Sequence, residues 1–316
     1  MKKWIYLLIA IPFFACERGE IPVKPHESGE ATEQQIELGE DYRHQHFYDL
    51  ESNQIVASNL KTAWDFAFSP ANLPNRIILN SAKGMKVHRS TADFSTLTEY
   101  SGDDWHWDLQ TGHLDSTAFG ELSTSLTYVI DRGYDWEGSH LGYYKMRIIE
   151  IHDNFYTIER APLSSATGTT IDITRNSADD FAYFHCEDGL VNIAPPVDEW
   201  DLMFTQYTHL FEDPPTPYVV TGVLLNRYET LAAETKDISF QDLTYEDVLG
   251  LYLTGEIDEI GYNWKVFDFD SGNYLTHSDQ VYVIKTSEGL FFKLHFIDFH
   301  NESGIKGYPT FEIQPL

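Results

Sequence analysis

Cysteine is scarce in this chain: there are two in 316 residues, Cys16 and Cys186. With Cys16 committed elsewhere, as argued below, no intramolecular disulfide can form, and Cys186 reads as a small buried residue. Positive charge is scarce too. Lys and Arg number 21 against 50 Asp and Glu, a formal net charge of −29. Nucleic acid and anionic lipid surfaces both require a basic footprint, so neither is an expected partner. No apolar run is long enough to cross a bilayer as a helix. Catalytic signatures are missing as well: there is no H-E-x-x-H, no G-x-S-x-G elbow, no P-loop and no dinucleotide fingerprint. Asp268-Phe269-Asp270-Ser271-Gly272 hints at a calcium loop, but its glycine comes one residue early and the third ligand is absent, so a tight acidic turn is expected there. These absences read as a protein that is not an enzyme.

The N-terminus carries an export pattern. Lys2 and Lys3 precede the apolar run Trp4–Ala15, and Cys16 follows directly. Residues 1–16 are therefore expected to be a lipoprotein signal, with the Cys16 thiol as the lipidation site, although Phe13 stands where Leu is usual. Residues 17–40, rich in Glu, Pro, Gly and Ser, read as a flexible tether. Contact with a membrane is expected only through the lipid.

Beyond residue 40 the chain is rich in aromatic and β-branched segments. W-D-x-x-F occurs twice, at Trp64–Phe68 and Trp200–Phe204. Flanking stretches match in the same order: FYDLESNQIV (from Phe47) with YFHCEDGLVN (from Tyr183), YVID (from Tyr128) with YVIK (from Tyr282), and YYKMRI (from Tyr143) with FFKLHF (from Phe291). TIE (from Thr157) likewise matches TFE (from Thr310). Recurrence in fixed order predicts an internal duplication. The expected fold is mainly β: two related antiparallel modules, 41–165 and 178–316, joined by a linker at 166–177, with one short helix in the second module. That helix is placed at Thr244–Leu253, capped by Thr244 with Asp247. Period-2 alternation puts Tyr144, Met146 and Ile148 inward with Lys145 and Arg147 on a wet face, and treats Lys293 and His295 alike. The same rule puts Trp64, Phe66 and Phe68 together on a core face, with Asp65 opposite. Aromatic-rich DDWHWDL (Asp103–Leu109) is read as packing rather than a sugar-stacking platform.

The segments that carry the repeat also carry a resemblance. EWDLMFTQY (Glu199–Tyr207), YNWKVFDF (Tyr262–Phe269), VYVIKTSEGLFFKLHFIDF (Val281–Phe299) and GIKGYPTFEI (Gly304–Ile313) resemble the HmuY family of exported haem-binding lipoproteins. TAWDFAF (Thr62–Phe68) and the YVID…YYK hairpin resemble it more weakly. The resemblance implies an all-β fold and haem as cofactor. It also implies a haemophore-like role in iron acquisition, with delivery towards a TonB-dependent outer-membrane receptor. The implied location is the cell envelope, as an outer-membrane lipoprotein that is surface-exposed or secreted. The other reading is a cell-envelope interaction or glycan-binding lipoprotein that kept the fold without binding haem.

Haem iron takes axial His nitrogen or Met sulfur. The chain has thirteen His and four Met. Met146 is assigned to the core and His295 to the wet face. In the family the ligands lie between the W-D strand and the final hairpin, a window that in the second module holds His209 and His277. These two are the candidate iron ligands, with His209 expected in a loop. Met85, His88 and Met203 are reserves, Met203 being placed on the face away from Trp200. The stretch that bears ligands in the family falls at Val266–Asp270, which contains neither His nor Met.

Overall fold

A computed structural model of the protein describes residues 28–175, 181–212 and 214–316. The export signal with Cys16, His26 and residues 176–177 of the expected linker lie outside the described residues. The first half of the chain supplies β1 (Thr32–Gln35), β2 (His44–Asp49), β3 (Gln54–Leu60), β4 (Phe66–Phe68), β5 (Ile77–Leu79) and β6 (Lys86–Ser90). It continues through β7 (Thr127–Asp131), β8 (Tyr143–Ile151), β9 (Phe155–Pro162) and β10 (Thr169–Thr174). The second half supplies β11 (Ala182–His185), β12 (Gly189–Leu190), β13 (Leu202–Glu212), β14 (Pro215–Leu225), β15 (Leu231–Thr235) and α1 (Tyr245–Val248). It ends with β16 (Lys265–Asp268), β17 (Asn273–Thr276), β18 (Val281–Lys285), β19 (Phe291–His300) and β20 (Lys306–Pro315).

The strands build two sandwiches. In the first, the five-stranded sheet β10-β9-β8-β7-β6 packs on the four-stranded sheet β12-β11-β4-β5. Phe66, Tyr128, Met146, Ile158 and Phe184 meet in its core. In the second, the five-stranded sheet β1-β20-β19-β18-β15 packs on the four-stranded sheet β14-β13-β2-β3. Tyr48, Phe204, Trp264, Phe296 and Phe311 fill that core, with Trp264 stacked on Phe296 at 3.8 Å. Neighbouring strands pair antiparallel throughout. The mainly β, antiparallel class is as expected, with one α-helix among the described residues.

The strands of the two sandwiches cross the module boundaries drawn from the recurring segments. β2 pairs with β13, and β11 pairs with β4, so each sandwich takes strands from the opposite half of the chain. The 17–40 tether is also cut short. β1 adds to the edge of β20, and Ile36 and Leu38 enter the second core. An edge strand reading TEQQ buries little side-chain surface, so its composition looks like a tether although its backbone is paired. Half of the 166–177 linker is β10, an edge strand on β9 with Ile173 buried.

Each W-D aspartate fastens one of these crossings. The Asp65 backbone N–H donates to the Phe184 carbonyl, and its Oδ2 accepts from the Cys186 N–H at 2.6 Å. The Asp201 backbone N–H donates to the Tyr48 carbonyl, and its Oδ2 accepts from the Leu50 N–H at 2.9 Å. Asn80 and Asn226 complete the pattern: each side chain donates to the carbonyl of the adjacent Trp, at 2.9 and 2.7 Å. Neither aspartate is on a wet face.

Two other expectations change. The chain bends at Asp65 before β4 begins, which breaks the alternation. Trp64 therefore joins Ala67 and Ile78 on the outer side of its sheet, while Phe66 and Phe68 face the core. The supposed wet face of β8 and β19 is covered. Lys145 and Lys293 are 0% and 3% exposed. Each ammonium donates to two loop carbonyls, Phe94 and Leu97 for Lys145, Phe240 and Leu243 for Lys293. His295 is buried too, stacked on Phe240 at 4.2 Å, while Arg147 is exposed as expected. The helix is a single turn, with Thr244 N–H and hydroxyl both donating to Asp247.

Asp65 is buried against Lys83 and Arg132, with Arg132 Nε at 3.2 Å. Burial raises the cost of its charge, but the two cations and the Cys186 N–H prevail and hold its carboxyl at about 2. Asp65→Ala strands Lys83 and the Cys186 N–H and leaves Arg132 with Glu187 alone, and we expect a loss of about 3–5 kcal/mol in urea unfolding; a loss below about 1 kcal/mol contradicts this role. Lys265 lies over Trp264 at 4.1 Å and donates to the Thr221 carbonyl. Burial pushes its pKa down from 10.5 to about 7. A depressed base contributes stability that is complete above the unfolded pKa and falls as the pH drops towards the folded one. Wild type should therefore lose stability relative to Lys265→Met between pH 10.5 and 7, by a few kcal/mol in order of magnitude. Parallel stability–pH curves for the two proteins rule this out.

Candidate functional site

The outer faces of the two four-stranded sheets turn towards each other. Hydrogen bonds join the sandwiches here: Trp64 Nε1 donates to Gln45 Oε1 at 3.0 Å, and Gln45 Nε2 donates to Thr205 Oγ1 at 2.7 Å. Thr208 Oγ1 donates to the Ser81 carbonyl at 2.8 Å, and Lys61 Nζ to Gln206 Oε1 at 2.8 Å. Around this seam lies a cavity of about 850 Å³, within the range of ligand pockets.

Both W-D tryptophans line the cavity. Each is braced by an edge-on ring from the strand that crossed over: Tyr183 on Trp64 and Phe47 on Trp200, both at 4.9 Å. Ile78, Met203 and Leu224 extend the apolar wall, and Gln45, Asn80, Gln206 and Asn226 supply amides. Three charged residues line this space: Asp108, Arg227 and Glu229. Asp108 accepts the N–H groups of Leu79 and Ala118, each at 2.7 Å, and burial pushes its carboxyl up to about 6. Arg227 donates to the Gly112 carbonyl, and burial lowers its pKa against the opposing pull of Asp108. Among the described residues Arg227 is the only Lys, Arg or His that lines the cavity.

The candidate iron ligands are scattered. Met203 is in the cavity wall, on the same side as Trp200, because the bend before the strand reverses the alternation there as it does at Trp64. His209 lies on β13 rather than in a loop, between Phe211 at 4.9 Å and Tyr262 at 5.1 Å. Its Nδ1 is buried without a hydrogen-bond partner, and burial lowers its pKa. His277 is exposed in the turn after β17. No hydrogen bond, ring contact or cavity joins His209 to His277 among the described residues. Met203 and His209 are six residues apart along one strand, about 20 Å at 3.3 Å per residue, too far to sandwich one iron. Met85 is buried in the first core. His88 stacks on Tyr100 at 4.0 Å, with Nδ1 at 3.0 Å from the Asp104 carbonyl. Sequence reasoning missed the cavity itself and its charged pair, Asp108 and Arg227. The available signal was the tryptophan of each repeat, which was read as core.

Several solved structures are similar to this chain at low identity. The apo HmuY analogue (TFO) of Tannerella forsythia is 12% identical, covering 92% of this chain and 98% of that one, with a TM-score of 0.32. Apo PinO from Porphyromonas gingivitis is 9% identical, covering 91% and 97%, with a TM-score of 0.30. A Bacteroides vulgatus protein assigned as HmuY-like and haem-binding is 11% identical, covering 90% of each chain, with a TM-score of 0.24. No curated protein matches the chain in sequence. The family model for HmuY protein matches residues 41–313. That span takes in both sandwiches and the seam between them, and the chain belongs to the HmuY family.

Proposed function

We propose that the protein is a lipid-anchored, haem-binding protein of the cell envelope that serves haem and iron acquisition, with the ring seated in the cavity between the sandwiches. The observation that carries this reading is the family match over residues 41–313. The HmuY family is of haem-binding type, and its members are binding proteins rather than enzymes. The cavity fits such a ligand in three respects. Its volume of about 850 Å³ and its Trp64, Trp200, Ile78 and Leu224 walls suit a large apolar ring. Met203 offers a thioether from the wall, and Arg227 offers a cation for a propionate. When bound, haem would supply an iron that takes nitrogen or sulfur ligands. Met203 would hold it, and the tryptophans would keep water from it. His209, with its free Nδ1, is the second candidate, for a ring resting on Tyr262 outside the cavity. His277 is the third, from an exposed turn. The proposed acceptor is a TonB-dependent receptor, and the proposed setting is the outer membrane, reached through lipid on Cys16.

A second reading has its own support. The cavity has no histidine among its lining residues, while its tryptophans and amides form a surface that suits a sugar ring. On that reading the protein binds a glycan or an envelope partner.

Haemin titration of the purified protein in both oxidation states separates the two. We expect a stoichiometric Soret shift, accompanied by quenching of Trp64 and Trp200 fluorescence. Met203→Ala should change the spectrum and weaken binding about tenfold, equivalent to about 1.4 kcal/mol. A spectrum altered by His209→Ala or His277→Ala, but not by Met203→Ala, moves the ligand out of the cavity. The absence of any Soret shift in either oxidation state removes the haem reading and leaves the glycan one.

A further inference from the structure

One end of the second sandwich gathers the start of the described chain, the end of β20 and the short helix. The Gly29 N–H donates to the Pro315 carbonyl at 3.0 Å, and Gln314 Nε2 donates to the Gly29 carbonyl at 2.7 Å. The next residue, Leu316, donates its N–H to the Phe291 carbonyl at 2.8 Å and is buried with Val248, Val281 and Val283. Val248 is the last residue of α1. The ring of Tyr245, the first residue of α1, packs edge-on against Phe291 at 5.6 Å. The turn after α1 and the turn between β18 and β19 therefore lie beside the point where the N-terminal segment joins the body.

Both turns hold apolar side chains in water. Leu249 is 76% exposed and Tyr252 is 89% exposed, and Leu290 is 48% exposed. The order Val248-Leu249-Gly250-Leu251-Tyr252-Leu253 explains this. Val248 packs inward with Leu251 and Leu253 against the same cluster, which leaves Leu249 and Tyr252 on the outer side. The turn that presents them is hydrogen-bonded: the N–H groups of Gly250 and Leu251 donate to the Asp247 and Val248 carbonyls, each at 3.0 Å. Large apolar side chains presented together on an ordered turn mark a contact surface.

Two features decide the occupant. The first is chain length. Cys16 stands twelve residues before Ser28, and twelve extended residues span at most about 40 Å. A bilayer holding lipid on Cys16 therefore stays within about 40 Å of this end of the body. The second is chemistry. Leucine and tyrosine suit the headgroup region of a bilayer, where the apolar bodies leave water and the phenol keeps its hydroxyl wet. The patch is flanked by Glu246, Asp247 and Glu288 against Lys285, whose Nζ lies 6.0 Å over the Phe291 ring. That acidic balance favours zwitterionic lipid over anionic lipid.

We propose that this end of the second sandwich docks on zwitterionic bilayer lipid, with Leu249, Tyr252 and Leu290 in the headgroup region. The proposal rests on the reading that Cys16 carries the anchor, and it adds a protein contact to the lipid contact expected from the sequence. Three side chains bury too little apolar surface to bind a membrane from solution. A body already held beside the membrane meets it at high effective concentration, so a weak contact is enough. Docking also sets which way the molecule stands. The β16–β17 hairpin joins β19 at its other end, where Thr276 Oγ1 donates to the Ile297 carbonyl at 2.8 Å, and so lies away from the bilayer.

Residues 17–316 with an N-terminal hexahistidine tag, held on phosphatidylcholine vesicles by nickel-chelating lipid, test the docking without needing natural acylation. Tyr252→Cys takes a polarity-sensitive thiol label, since Cys186 is buried. Phe269→Cys, in the β16–β17 turn and also 89% exposed, is the control. We expect the label at 252 to shift to the blue on the vesicles and to be quenched by headgroup spin-labelled lipid, while the label at 269 does neither. Adding Leu249→Ser and Leu290→Ser, both on exposed side chains, should remove most of the shift. The proposal is overturned by no shift at 252, by an equal response at 269, or by the same shift without vesicles as protein concentration rises, which makes the occupant a second copy of the chain. The anchor is checked separately, by the acyl mass on Cys16 in protein extracted from cell membranes. Its absence removes the anchor reading, and the tagged protein reports on docking in either case.

Discussion

A carboxylate that receives a backbone N–H from the far half of the chain organises this molecule. Asp65 takes the N–H of Cys186 and Asp201 takes that of Leu50, across sequence separations of 121 and 151 residues. Each aspartate sits at a bend where its own chain leaves a loop and enters a strand. There its carboxylate satisfies a donor that the neighbouring strand exposes as it ends, and a donor buried without such a partner costs about 1–3 kcal/mol. The crossings follow from this. Neither four-stranded sheet is complete until the other half of the sequence has been made, so the two cores are covalently interleaved. Pairings of such long range are slow to form because loop closure precedes any gain in contact.

The crossings also create the cavity. A strand that passes from one sandwich to the other brings a ring with it. Tyr183 braces Trp64 and Phe47 braces Trp200, holding each indole at the seam rather than inside a core. The W-D pair thus divides its work over two adjacent residues. Asp fixes the crossing strand, and Trp presents an apolar wall to the space between the bodies. The phenylalanines of the same motif turn the other way, into the cores.

The β class and the helix cap were legible in the sequence because they depend on local periodicity and capping chemistry. Trp64 was misplaced because alternation holds only inside a strand, and the bend at Asp65 lies just outside β4. Lys145 and Lys293 were misplaced because the loops that cover them are distant in sequence, and a lysine that reaches two carbonyls looks, in sequence, like any surface lysine. β1 and β10 were hidden because polar edge strands share the composition of linkers. The candidate ligands were the least legible part. Thirteen histidines give no ranking by number, and what separates them here is which face of β13 and which side of the seam each occupies. Met203 comes forward only once its face is known.

The charge of the chain also has a structural reading that composition conceals. A net charge of −29 looks like a property of the surface. Yet both W-D carboxylates are buried, and both are required by the same backbone donors. In the first sandwich Lys83 and Arg132 supply the compensation from within the fold. In the second, Thr286 follows β18 where Arg132 follows β7, and Asp201 still meets the donor demand of Leu50 with Asp49 and Glu51 beside it. Buried charge needs a counter-charge or a proton, and which of the two is present depends on the solution rather than on the fold. The two sandwiches therefore share a backbone solution and differ in their electrostatics: one is closed by its own sequence, and the other is left responsive to what surrounds it.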